Sequence, residues 1–202
     1  LMKEYNEDLT ICMVSFFSDE IIKETLQNIP KQYKVIITDN TLTNDLKQNL
    51  EKNFENVEVI MPKENLGNGG GVNFALKKVN SEYAIYLDID TKIEQTTLID
   101  LINLAKSRND WGIMAPNLKN YKYKDVNYLE KGFSDNFANM NFVEGCALLF
   151  NLKNLQNIGF YDEKIFLYFE ENDLFFKCLK NKKKILLCKK IFIEHKGNSS
   201  IN

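Results

Sequence analysis

Arginine is nearly absent. Of 26 basic residues only Arg108 carries a guanidinium, so bidentate clamps on phosphate are almost unavailable, and an anionic ligand must be met by a metal ion or by backbone N–H groups. Histidine is just as scarce, with His195 standing alone. The four cysteines, Cys12, Cys146, Cys178 and Cys188, lie in apolar runs with no C-x-x-C pair and no metal-ligand spacing. They read as small buried hydrophobes in a reducing compartment. No apolar run approaches the ~20 residues that a membrane span needs, and residues 1–8 are polar and acidic, unlike a signal peptide. The expectation is a soluble, cytoplasmic chain. A formal net charge of −2 argues against a nucleic-acid binder driven by a basic field.

The 202 residues suffice for one domain burying roughly 70% of its extended-state surface, without disulfides or a structural metal. Apolar strand-like runs at 9–16, 33–38, 57–61, 83–87 and 112–115 alternate with helical patterns at 19–28, 44–53, 69–79 and 95–107. Repeated strand–helix–strand units predict an α/β fold, a mostly parallel central sheet flanked by helices. Such sheets bind ligands beyond the carboxyl ends of their strands, where Asp39, Asn65, Asp88 and Asp90 all fall. The second half differs. Residues 117–141 read as a long polar and aromatic excursion, 142–150 as a strand, 170–180 as a helix with Leu174, Phe175, Cys178 and Leu179 on one face, and 185–188 and 191–194 as two short strands.

Four stretches carry candidate chemistry. In Leu87-Asp88-Ile89-Asp90, two carboxylates separated by one residue point the same way from an extended backbone. They form either a solvated acidic turn or a seat for a hard divalent ion that relieves their repulsion. Residues 65–73, Asn-Leu-Gly-Asn-Gly-Gly-Gly-Val-Asn, open a helix, as an anion contact or as a tight strand–helix connection. They fail as a dinucleotide fingerprint because Val72 replaces the third glycine and residues 62–65 intervene after the strand. Phe169-Glu170-Glu171-Asn172-Asp173 places three acids at a helix start, as dipole caps or with a general base among them. Lys180, Lys182, Lys183, Lys184, Lys189 and Lys190 form either a solvated helix end or a contact for anionic lipid.

In their order these residues resemble glycosyltransferase family 2: Ser15-Phe16-Phe17-Ser18, then Ile36-Ile-Thr-Asp39-Asn40, Glu64-Asn65-Leu-Gly67 with Asn73, and Tyr86-Leu-Asp88-Ile-Asp90-Thr91. Gly145 to Phe150, Ile158 to Glu163, Phe166-Leu-Tyr-Phe-Glu170-Glu171-Asn-Asp173-Leu174, and His195 with Ser199 complete the series. The likeness is to rhamnosyltransferase-like bacterial members that build surface polysaccharides. It implies a GT-A fold, with a Rossmann-like nucleotide-binding half over about 9–116 and an acceptor half over about 117–202. It further implies inverting transfer of a sugar from a UDP- or dTDP-linked donor to a saccharide or lipid-linked acceptor.

Carried over by position, Asp39 would read the pyrimidine, with Ser15 and Phe16 lining its pocket. Asn65, Gly67, Asp88 and Ile89 would lie along the nucleotide sugar and Asn73 near the pyrophosphate. Asp90 and His195 would hold Mn²⁺ or Mg²⁺. The family's catalytic Asp is here Glu171, expected to be the base, with Glu170 as the alternative and Asp173 as acceptor-site support or helix cap. Expected partners are the donor, the acceptor, the inner face of the membrane as a peripheral contact and a second copy of the chain, with no nucleic acid. The alternative is a catalytically degenerate nucleotide-sugar-binding module or a truncated transferase fragment. A nucleotidyltransferase would need a Gly- and Arg-bearing loop after the first strand, and residues 15–19 have none.

Overall fold

The computed structural model describes residues 5–119 and 136–197. Strands β1 (Leu9–Ser15), β2 (Lys34–Asp39), β3 (Val57–Ile60) and β4 (Tyr83–Leu87) are linked by helices α1 (Asp19–Gln27), α2 (Asp45–Asn53) and α3 (Gly67–Leu76). There follow β5 (Thr91–Lys92), α4 (Gln95–Lys106), β6 (Trp111–Leu118), β7 (Phe137–Met140), β8 (Ala147–Asn151), α5 (Leu152–Leu155), α6 (Glu170–Lys180) and β9 (Lys184–His195). The sheet runs β3-β2-β1-β4-β8-β6-β9-β5, with β7 also paired to β9. Pairing is parallel from β3 to β4. It turns antiparallel where β8 flanks β4, so the second half of the sheet is mixed.

Both faces are covered, and for this reason the central strands read as unbroken apolar runs. Leu9, Ile11 and Met13 of β1 pack on one side with Leu26 of α1, Leu50 of α2 and Leu101 of α4. Cys12 faces the other way, among Val72 and Ala75 of α3 and Leu174, Phe175 and Cys178 of α6. All four cysteines are buried and free. Leu179, expected beside them, is exposed instead, because it lies on the outer side of α6.

Three expectations for the second half need correction. The two short strands at 185–188 and 191–194 are one strand, β9. Its partners on β6 jump from Cys188 to Phe192 across consecutive residues Pro116 and Asn117, so the lysine-bearing break in the apolar pattern is a bulge and not a turn. The 142–150 strand begins only at Ala147, after irregular residues 141–146. Within the 117–141 excursion, residues 120–135 lie outside the described residues. Its flanks are regular: β6 extends to Leu118 and residues 137–140 form β7.

The glycines of residues 67–71 serve contact. A Cβ on Gly71 would stand 2.9 Å from Val14 of β1, and one on Gly69 3.0 Å from Tyr161, so the start of α3 lies close against both the sheet and the loop before α6. Gly67 is the most constrained. Its φ is +69°, and a Cβ there would meet the Phe166 carbonyl oxygen at 1.9 Å. Gly159 has φ +88° with nothing within 4 Å of a built Cβ, which makes it a control for backbone conformation alone. Gly159→Ala should cost about 1–2 kcal/mol, and Gly67→Ala clearly more, by urea denaturation. Equal losses would mean that the Phe166 segment moves aside freely.

Candidate functional site

The site is built on the chain reversal after β4. Asp88 N–H donates to the Cys146 carbonyl at 2.9 Å, and Thr91 N–H donates back to the Asp88 carbonyl at 3.0 Å. Asp88 and Asp90 therefore sit in a turn. The extended alternation expected for them has already ended, and they converge through a different partner. Pairing of Thr91 with His195 sets the lone imidazole against both acids, with Nε2 2.9 Å from Asp90 Oδ1 and 3.3 Å from Asp88 Oδ2. Hydrogen bonds that the imidazole donates to Asp88 and Asp90 push the His195 pKa up to about 10. One ligand atom from each of the three residues lies within 4.8 Å of the others. Ile89 between them is buried in the core, and its carbonyl accepts from the Thr25 hydroxyl, which pins the turn.

A second chain of contacts ties this turn to α6. The Tyr86 hydroxyl, on a buried ring, donates to Asp88 Oδ1 and lies 2.8 Å from Asn68 Oδ1. The Asn68 amide donates to Glu170 Oε1 at 3.0 Å. Glu170 is buried, and its Oε2 has no protein partner. Beside it, burial and then the Glu170 charge raise the Glu171 pKa to about 7. Gly145 makes this arrangement fit, since a Cβ there would come within 2.5 Å of Glu171 Oε1. Tyr86, Asn68 and Gly145 stand inside the quoted motifs but were assigned no site role. Their partners are 2 to 102 residues away, and nothing in local pattern announces them.

A cleft of about 460 Å³ joins these groups, lined among others by Phe16, Asn65, Gly67, Asp88, Asp90, Glu171 and His195. Ser15 and Asp39, in register at the ends of β1 and β2, do not line this cleft: both are fully buried. Asp39 Oδ1 accepts from Thr41 N–H at 3.0 Å and from its hydroxyl at 2.8 Å. Its Oδ2, and Ser15 Oγ, are buried without a protein partner. Asn40 clamps the start of α3, donating to the Gly67 carbonyl at 3.0 Å and accepting from Leu66 N–H at 3.2 Å.

Two further candidates, Asn73 and Asp173, are also absent from the cleft lining. Asn73, expected near a pyrophosphate, spends its amide on the loop before α6. It donates to the Tyr161 carbonyl at 2.9 Å and accepts from Tyr161 N–H at 3.2 Å. Asp173 pairs with Lys177 one turn along α6, 2.6 Å away. The opening N–H groups of α3 are also engaged: Gly67 N–H donates to Asn65 Oδ1 and Asn68 N–H to the Phe166 carbonyl. That favours the tight-connection reading of the glycine run over the anion contact. Lys180, Lys182, Lys183 and Lys184 sit at the other end of α6 from the cleft, with Lys184 on Asp110 and Lys183 on Asn154, whereas Lys189 and Lys190 lie in the β9 bulge. Ser199 lies outside the described residues.

A family model described as glycosyl transferase family 2 matches residues 10–172. The low-salt glycan biosynthesis hexosyltransferase Agl10 of Haloferax volcanii is 22% identical over 94% of this chain and 67% of its own length. The poly-β-1,6-N-acetyl-D-glucosamine synthase of Staphylococcus epidermidis is 23% identical over 77% of this chain and 42% of its own. Among solved structures, S. aureus TarS 1–349 in complex with UDP superposes with a TM-score of 0.73 at 18% identity, over 93% of this chain and 60% of that one. GalNAc-T7 with UDP, GalNAc and Mn²⁺ gives 0.75 at 12%, over 96% of this chain and 44% of that one. The chain thus spans less than two thirds of the synthase and of both solved chains. The structural likeness establishes the GT-A fold.

The Glu171 environment has a consequence for stability. A carboxyl whose pKa rises on folding, from 4.5 to about 7, contributes stability that is complete below pH 4.5 and lost as pH climbs through 7. Glu171→Gln should therefore gain melting temperature relative to the parent chain between pH 5 and pH 8. A constant difference across that range would contradict the described burial.

Proposed function

The chain belongs to glycosyl transferase family 2, and from that premise we propose that it transfers a sugar from a pyrimidine nucleoside diphosphate to an acceptor hydroxyl with inversion, using Glu171 as base. The observation that carries this reading is that one cleft holds both Asp88, Asp90 and His195 and the partly buried Glu171. S. aureus TarS binds UDP and UDP-GlcNAc in its crystal structures, and GalNAc-T7 was solved with UDP and Mn²⁺. Both support a uridine diphosphate donor here and the second also a metal, with a dTDP donor as the alternative.

Two carboxylate oxygens and an imidazole nitrogen within 4.8 Å are a donor set that fits Mn²⁺ or Mg²⁺. When bound, such an ion supplies Lewis-acid charge to the departing diphosphate, a duty that arginine cannot perform in a chain with one guanidinium. The residues do the rest. Asp39 Oδ2, buried and unpartnered, accepts the imide N–H of uracil or thymine, with Ser15 Oγ beside it and Phe16 against the ring. Tyr86 and Asn68 hold Asp88 and Glu170 in fixed relation. Glu171 takes the acceptor proton as the oxygen attacks the anomeric carbon from the face opposite the diphosphate. A pKa near 7 suits that task, because the group is ionised at working pH and still basic enough to gain from the transfer.

Donor turnover at saturating acceptor tests the reading. kcat/KM should rise with pH and level off above about 7. Glu171→Gln should lose roughly 10²–10⁴-fold in kcat, abolish that limb and leave nucleotide binding intact. Turnover near the parent rate in Glu171→Gln would remove the assignment. Nucleotide binding without any turnover in the parent chain would favour a binding module.

A further inference from the structure

Tyr161 belongs to a motif, residues 158–163, that the transfer chemistry above leaves without a role. Its position is fixed from three sides. Asn73 donates to its carbonyl at 2.9 Å and accepts from its N–H at 3.2 Å. Its ring meets Phe150 edge to face, with centroids 6.1 Å apart. Gly69 makes room for its root, since a Cβ there would stand 3.0 Å from Tyr161 Cβ and 3.3 Å from Glu170 Cβ. Tyr161 and Glu170 therefore flank one glycine of α3. Both are buried there, at 4% and 2% exposure.

Burial this complete leaves two polar atoms to account for. Tyr161 Oη and Glu170 Oε2 are both shut off from solvent, and neither has a hydrogen-bond partner among the described residues. Their neighbours are satisfied. Glu170 Oε1 takes the Asn68 amide at 3.0 Å, and the Tyr86 hydroxyl reaches Asp88. An orphaned polar atom in an interior is costly, so such atoms are nearly always joined to protein or to an ordered water. Burial, and then the charges of Glu171, Glu170 and Asp88, raise the Tyr161 pKa. The hydroxyl thus stays protonated and faces these acids. It is a donor, and the Glu170 carboxylate is an acceptor. No direct bond joins them, and one water between them satisfies both.

We propose that Tyr161 is a positioning residue for the transfer: through one buried water its hydroxyl binds Glu170 Oε2 and holds that carboxylate in place behind Glu171. The effect on transfer rests on the reading of Glu171 as base, and the water site does not. Glu171 is faced by Glu170 on its own helix, Asp88 in the turn after β4, Glu144 in the loop before β8 and Tyr161 in the loop before α6. After burial, it is the Glu170 charge that raises the Glu171 pKa most. Donors on both oxygens favour the charged form of a carboxylate, so the exchangeable proton of this pair belongs to Glu171. Asn73 then serves the site at one remove, by fixing the tyrosine.

Carbon-13 NMR titration of the glutamate carboxylates tests this without turnover, with Glu171→Gln identifying the Glu171 signal. Tyr161→Phe keeps the ring and the Asn73 bonds and removes only the hydroxyl. Glu170, short of a donor, then competes for the proton of the pair. The Glu171 midpoint should fall from about 7 by about one pH unit. Glu170→Gln should lower it too, and the double variant should go no further than Glu170→Gln alone. In turnover, the pH limb of Tyr161→Phe should move by the same amount, and the plateau should fall several-fold because the base is weaker. UDP affinity should be unchanged. A side chain that only fills space would alter melting temperature and leave the midpoint in place. That result, or additive shifts in the double variant, would overturn the proposal. So would a crystal structure with no water joining Tyr161 Oη and Glu170 Oε2. A midpoint that moves as expected in a chain without turnover would remove the transferase reading and leave the site standing, and turnover with an unmoved midpoint would do the reverse.

Discussion

Concentrated negative charge is the constraint around which the cleft is organised. Asp88, Asp90, Glu170 and Glu171 converge on it, in a chain whose single arginine is paired with Asp110 on another part of the surface. Left alone, such a group would repel and protonate. The fold answers with few devices. His195 comes from the last described strand to lie between Asp88 and Asp90, Tyr86 and Asn68 bridge Asp88 to Glu170, and partial burial raises the Glu171 pKa to about 7. The same charge is what a divalent ion and a proton-accepting base require.

The backbone around the cleft serves that arrangement. Gly67 and Gly69 let α3 approach the loop before α6, and Asn73 fastens the same loop through Tyr161. Gly145 leaves room for the Glu171 carboxylate. The halves of the sheet meet at β4 and β8, so the turn after β4 is fixed from both sides. Thr25 of α1 holds it through the Ile89 carbonyl, and Lys196 N–H reaches the Asp90 carbonyl at 3.3 Å.

Much of this was legible in the amino-acid sequence, for definable reasons. The first half alternates strand and helix with short connections, and its elements fall where hydrophobic period places them. Helix α6 was readable to its ends because three acids open it and lysines close it. Asp88, Asp90 and His195 stood out through spacing and rarity, and the structure brings them together. The misses share a cause. A bulge at residues 189–191 looks like a turn in sequence, and β7 is hidden because its pairing with β9 is long-range. Asn73 matched a motif position, yet its side chain is directed by tertiary packing. Asn68 and Gly145 act through contacts distant in sequence, with Glu170 and Glu171, which no local period reports.

The central claim is that the cleft beneath Phe16 and Glu171 is a metal-assisted pyrimidine nucleotide site. Calorimetric titration of UDP, dTDP and GDP, with and without Mn²⁺, into the chain and into Asp90→Ala addresses it most directly. The account expects one pyrimidine diphosphate to bind tightly with Mn²⁺, weakly without it and weakly to Asp90→Ala, with GDP poorly bound throughout. Binding that ignores Mn²⁺ and Asp90, or no binding by any nucleotide, would contradict it.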